Sequence, residues 1–132
     1  MESKILVNTD FLFGLVIQSD VHHKVASEKL QRHEKDVFYI TPFTIPETVT
    51  VLSHKVSQEQ ARNFLIQARE STFTRVPLDE SLIAKTDEIF LAQKKKGTSW
   101  VDCLNVAAIL THRLDGILSF DRFYQQVGIK VF

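Results

Sequence analysis

Short apolar runs alternate with stretches of helical spacing along the whole chain, and this alternation restricts the fold more than any other feature. Lys4 to Val7, Val37 to Ile40, Phe73 to Val76, Gly116 to Ser119 and Ile129 to Phe132 read as strands. Their apolar positions are mostly continuous, as in parallel strands covered on both faces. Between them, Ala61, Phe64, Leu65 and Ala68 share one helical face, as do Leu82, Ile83, Thr86, Ile89 and Phe90. Trp100 to Leu114 is apolar around most of its circumference and reads as a central buried helix. Gly97 and Gly116 stand just past helix ends, where a left-handed cap is favoured. The pattern predicts an α/β fold, a three-layer α/β/α sandwich around a mainly parallel central sheet of about five strands.

A chain of 132 residues is expected to form one domain, 1–132, with a real core. Hydrophobic residues at 44% and charged residues at 24% exclude a disordered or fibrous chain. Ile5-Leu6-Val7 and Phe11 to Ile17 are too short to span a bilayer, and Met1 to Lys4 lacks a signal-peptide layout. One cysteine, Cys103, excludes an internal disulfide and fits a reducing compartment, so a cytoplasmic location is expected. Sixteen basic and sixteen acidic residues give a formal net charge of zero. Bulk electrostatics therefore cannot hold nucleic acid; local contacts or a metal ion must do so.

In folds of this kind ligands bind beyond the carboxyl ends of the strands. Asn8 and Asp10 follow the first strand, Glu47 follows the second after Thr41-Pro42, and Asp121 follows the strand at Ile117 to Ser119. Asp102 falls in the first turn of the buried helix. Each acid also has a bland reading. Thr44 to Glu47 and Ser99 to Asp102 both have capping-box spacing, and an acid in a first turn suits the helix dipole. Asp121 is a candidate cap for a short helix at Arg122 to Gln126, and Asp10 for a helix starting at Phe11. For Asp10 the bland reading is preferred. The apolar company of Asp102, from Val101 to Ala108, favours a paired or cation-bound carboxylate.

Asp79 and Asp115 read as helix-start and turn residues. His22 and His23 are adjacent and cannot share a helical face as ligands, and His33, His54 and His112 have no partner at ligand spacing. Cys103 reads as a small core residue. Lys94-Lys95-Lys96 reads first as a helix end complementing its dipole, with an RNA-backbone contact as the lesser reading. No glycine-rich phosphate loop is present in the sequence.

Taken together these segments resemble PIN-domain proteins, and within them the VapC-type toxins of bacterial toxin–antitoxin pairs. The resemblance runs through Ile5-Leu6-Val7-Asn8-Thr9-Asp10-Phe11-Leu12, then Thr41-Pro42 to Thr48, then Thr98 to Asp102 with Ala107-Ala108. It closes with Ser119-Phe120-Asp121-Arg122-Phe123 and Gly128 to Val131. Each motif is weak alone; four in this order and spacing are specific. One position departs: the family's first Asp is Asn8 here. An amide oxygen replaces an anionic one, so weaker metal binding and impaired activity are expected while the fold survives. Either a substitution was introduced into a nuclease, or the natural protein drifted towards a binding role. The other three acids, which look intact, favour the first.

The resemblance implies a metal-dependent endoribonuclease using Mg²⁺ or Mn²⁺. Glu47, Asp102, Asp121 and the acid at the Asn8 position would gather the ion, with Thr9, Asp10 and Ser119 in support. Cleavage would leave 5′-phosphate and 3′-hydroxyl ends, and at least one carboxyl pKa should be raised by like charge. It also implies an RNA substrate, a VapB-type antitoxin whose tail occupies the site, and a homodimer, with no membrane role. Helical surfaces near His22 to Leu30 and Val51 to Phe64 are candidate contacts. The alternative is a catalytically inactive PIN module that binds RNA or a protein; a third reading makes the acids helix caps only.

Overall fold

A computed structural model of the chain describes residues 2–132. The elements run β1 (Lys4–Val7), α1 (Thr9–Val16), α2 (His23–Arg32), β2 (Val37–Ile40), α3 (Thr44–Lys55), α4 (Gln58–Arg69), β3 (Thr74–Arg75), α5 (Glu80–Leu91), α6 (Trp100–His112), β4 (Gly116–Leu118) and α7 (Phe123–Gln126). The strands form one sheet in the order β3-β2-β1-β4, and every pairing is parallel.

Alternation along the strands sorts the core into two layers. Ile5 and Val7 join a cluster with Phe11, Leu12, Ile45, Leu52 and Phe64, from α1, α3 and α4. Leu6, between them, points the other way, into a cluster with Leu82, Leu104, Ala108 and Tyr124, from α5, α6 and α7. Successive strand side chains face opposite sides, so a buried central strand needs apolar residues throughout. Ile5 and Leu6 are both fully buried, and each such side chain contributes about 1.5–3 kcal/mol. The expected three-layer architecture is what forms.

The sheet is smaller than the sequence suggests. Phe73 to Val76 shortens to the exposed pair Thr74–Arg75, and Ile129 to Phe132 contributes only a single parallel bridge, Ile117 to Val131. Both lie at sheet edges, where short strands expose little unpaired backbone. The last segment is nonetheless tied on: Ile117 N donates to Lys130 O at 2.9 Å and Phe132 N to Ile117 O at 3.0 Å.

Helix α6 is buried continuously from Cys103 to Ile109, which explains its weak amphipathic pattern. Its left-handed terminus is Arg113, at φ 53°, not Gly116. Gly116 instead opens β4, where a β-carbon would collide with the Lys130 carbonyl oxygen. Gly97 does adopt φ 94°, but in the loop before α6; α5 has already ended, with Ala92 as its C-cap.

Candidate active site

Parallel order places the ends of β1, β2 and β4 along one edge, and the helices that follow start there. One cleft of about 350 Å³ lies at this edge. Asn8, Thr9, Asp10, Glu47, Asp102 and Asp121 all line it, together with Lys55 and His22. These residues come from β1–α1, α3, the start of α6 and the loop after β4, so the remote acids do share one cavity.

Beneath them runs a continuous polar chain. Tyr124 donates its hydroxyl to Asp102 Oδ1 at 2.8 Å. Asn105 Nδ2 donates to Tyr124 Oη at 2.9 Å and to Asn8 Oδ1 at 3.1 Å. Asn8 Nδ2 donates to Ser119 Oγ at 3.2 Å. Ser119 Oγ in turn donates to the Asp10 carboxylate, with oxygens at 3.0 and 3.1 Å, and accepts from Asp121 N at 3.1 Å. A hydroxyl has one proton and two lone pairs, so Ser119 works at full capacity.

Asp102 completes the capping box expected from its spacing. Its N–H donates to Ser99 Oγ at 3.0 Å, and Ser99 N donates back to Asp102 Oδ2 at 3.4 Å. Asp121 accepts from Phe123 N at 2.9 Å, holding the first turn of α7. Asp102 thus closes the box that Ser99 caps, and Asp121 braces the start of α7, whose N-cap is Arg122, while both line the cleft.

Two capping expectations fail. Helix α3 starts at Thr44 itself, and the Thr44 hydroxyl accepts from Thr41 N at 3.2 Å. Glu47 thus closes no capping box, and its carboxylate has no hydrogen-bond partner among the described residues. Asp10 lies inside α1, which begins at Thr9. It reaches across to the β4 loop, accepting from Phe120 N at 2.8 Å. Burial pushes the Asp10 carboxyl above the usual carboxylate range, and the charge of Asp121 adds only a minor push. The raised carboxyl expected from crowding of like charges is thus mainly a product of desolvation. Thr9 Oγ1 lies 3.5 Å from the Thr44 carbonyl, joining α1 to α3.

Asn105 and Tyr124 were not singled out in the sequence. Asn105 lies three residues after Asp102, on the same helical face, and interrupts an apolar run; that interruption was the available signal. Tyr124 is fully buried. Burial and the Asp102 charge hold its phenol well above the ordinary range, so it remains a donor. Asn105 Oδ1 is buried without a partner. Cys103 is a core residue as expected, its thiol raised first by burial and then by Asp102.

Three carboxylates and an amide oxygen are hard donors of the kind Mg²⁺ or Mn²⁺ takes, so the residues fit such an ion by chemistry. Among the described residues, however, no three His, Cys, Asp or Glu side chains stand close enough to hold one. The four expected residues therefore line one cleft, without a ready-made group of three carboxylates among them. Asp102 is drawn to Tyr124 and Asp121 to the α7 backbone.

The PIN domain family model matches residues 5–130, so the chain belongs to the PIN domain family. Among solved structures it is similar to VapC20 of Mycobacterium tuberculosis, a sarcin–ricin loop cleaving toxin. The two align with a TM-score of 0.83 at 23% identity, over 96% of each chain. It is also similar to VapBC2 from Rickettsia felis, bound to a DNA fragment from their promoter. That TM-score is 0.70 at 11% identity, over 98% of this chain and 97% of that one. No curated protein sequence matches the chain. No helix among the described residues is long and apolar enough to cross a membrane.

Proposed function

We propose that the chain is an endoribonuclease of the VapC toxin type, dependent on Mg²⁺ or Mn²⁺ and attenuated by Asn8. The observation that carries this reading is that Glu47, Asp102 and Asp121, from three separate elements, line one cleft with Asn8. Membership of the PIN family and the likeness to a sarcin–ricin loop cleaving toxin support it.

Asp102, Asp121 and Glu47, with the Asn8 amide oxygen, would hold the ion. It supplies Lewis acidity and positive charge against the scissile phosphodiester. The protein's own groups do the positioning. Tyr124 fixes one Asp102 oxygen and Ser99 N the other, so this carboxylate presents one orientation. Ser119 sets the Asp10 side chain and the Asp121 backbone relative to β1. Glu47, without a partner, is free to turn towards substrate or metal. Lys55, two helical turns beyond Glu47 on α3, supplies a cation in the cleft.

The test is RNA cleavage by the Asn8→Asp protein with Mn²⁺, against the same protein carrying Asp102→Ala. Cleavage by the first and none by the second is expected. No cleavage of any structured or unstructured RNA, and no Mn²⁺ binding, would remove the nuclease reading.

A second reading, a catalytically inactive PIN module, is favoured by one observation. Both ends of the Asn8 amide are used, one as acceptor from Asn105 and one as donor to Ser119. A VapB-type antitoxin partner, homodimerisation and a cytoplasmic setting belong to the toxin reading. The Rickettsia felis toxin–antitoxin structure supports the partner. Exposed Val25 and Val56 offer apolar contact on the two helical regions named earlier. Light scattering alone and with a co-expressed antitoxin would test both contacts.

A further inference from the structure

Lys94 to Lys96 do not complement the dipole of α5. That helix ends at Leu91 with no basic residue in its last turn, and the lysines lie beyond it. Lys95 and Lys96 turn into a second groove, of about 220 Å³, whose other side carries Arg122 from the start of α7. Asp102 and Asp121 line this groove as well as the acidic cleft, so the two cavities share those acids as a common wall. Lys95, Lys96 and Arg122 are exposed, and among the described residues none forms an ion pair, not even with the carboxylates beside them. Three cations outnumber the two carboxylates, Asp102 and Asp121, that line the groove with them, so an added anion is favoured there.

The loop carrying the lysines is shaped to present them. Gly97 turns it at φ 94°, and a β-carbon there would meet nothing within 4 Å, so the space over the loop is open. Thr98 Oγ1 donates to the Lys95 carbonyl at 3.3 Å, bracing the turn.

We propose that the groove of Lys95, Lys96 and Arg122 binds the phosphodiester backbone of a single-stranded RNA segment as it passes over Asp102 and Asp121. The proposal rests on the ribonuclease reading and adds where the strand continues beyond the acids. Grooves of this kind track backbone phosphate without reading bases. A neutral protein thereby gains a local cationic track.

The experiment measures binding of a fluorescently labelled, mixed-sequence RNA oligonucleotide to the Asn8 protein in EDTA, across a salt series. Lys95→Ser/Lys96→Ser/Arg122→Ser should weaken binding about tenfold at low salt and make the log–log salt dependence shallower by about two. A charge-matched control, Lys35→Ser/Arg62→Ser/Arg69→Ser, should change affinity by less than about threefold. Lys95→Arg/Lys96→Arg should retain affinity, showing that charge and not loop structure is at work. Cleavage by the Asn8→Asp protein with Mn²⁺ is followed in parallel. Cleavage with RNA binding unchanged in the groove variant overturns the groove and leaves the nuclease reading standing. No cleavage with groove-dependent binding does the reverse. Equal losses in the groove and control variants, or no RNA binding by the parent, also overturn the groove.

Discussion

Tyr124 holds Asp102 through a 2.8 Å hydrogen bond while accepting one from Asn105 at 2.9 Å. A buried phenol therefore couples the first turn of α6, through Asn105, to Asn8 just after β1. Tyr124→Phe should keep the fold, since the ring fills the same space, and should cost about 1–2 kcal/mol by urea denaturation. In the Asn8→Asp background it should also lower the cleavage rate, because one Asp102 oxygen loses its fixed partner. Full activity in that double variant would remove Tyr124 from the positioning machinery.

Asn8→Asp changes proton supply as well as charge. Ser119 already gives its only hydroxyl proton to Asp10. A second carboxylate at position 8 would compete for it, and should destabilise the protein by about 1–3 kcal/mol in EDTA. Mn²⁺ should return that loss, so thermal denaturation should show a larger Mn²⁺-induced rise in Tm for the variant than for the parent.

Glu47 and Asp102 should separate cleanly. Glu47→Ala should leave stability within about 0.5 kcal/mol, since its carboxylate makes no hydrogen bond to be lost. Asp102→Ala removes a capping box and the Tyr124 acceptor, and should cost about 1–3 kcal/mol. Chemical denaturation of the two variants side by side gives the comparison.

Gly116→Ala should be among the most damaging single substitutions. Its β-carbon would collide with the Lys130 carbonyl and come within 2.8 Å of Phe132 Cε2. A loss of about 1–3 kcal/mol or more is expected from such overpacking, read as a drop in urea midpoint.

Asp36 gives the pH dependence. It accepts from Ser3 N at 2.9 Å and from His33 Nδ1 at 2.7 Å, and these bonds lower its carboxyl below the ordinary aspartate value of 3.8. In the window between the lowered folded pKa and 3.8, the unfolded chain binds more protons, so stability rises with pH. The contribution is complete above that window and disappears as pH falls through the folded pKa. The stability gap between the parent and Asp36→Asn should therefore close on acidification, as followed by denaturant midpoints from neutral pH downwards.

The architecture was legible because it is written in local periodicity. Ile5, Leu6 and Val7 must all be apolar when both sheet faces are covered, and the position of the site then follows from strand direction. What escaped was set by long-range partners. Whether Thr44 caps α3 depends on where Thr41 N sits, and Asp10 bonds to Phe120, 110 residues away. Glu47 and Asp102 share the same spacing motif, yet only Asp102 closes the box. Asn105 and Tyr124 belong to no motif, and each becomes meaningful only beside the other.

The wall shared by the two cavities has a consequence for how the molecule is handled. Asp102 and Asp121 face an acid-lined basin on one side and a trough of Lys95, Lys96 and Arg122 on the other. Acidic and basic side chains are therefore segregated within the reach of one side chain, although the formal net charge is zero and the isoelectric point is near 7.0. Elution from an ion exchanger would report the cancellation and hide the segregation. A polyanion arriving at this surface would meet a directional field, cationic at one end and acidic at the other, and so would have a preferred polarity of approach.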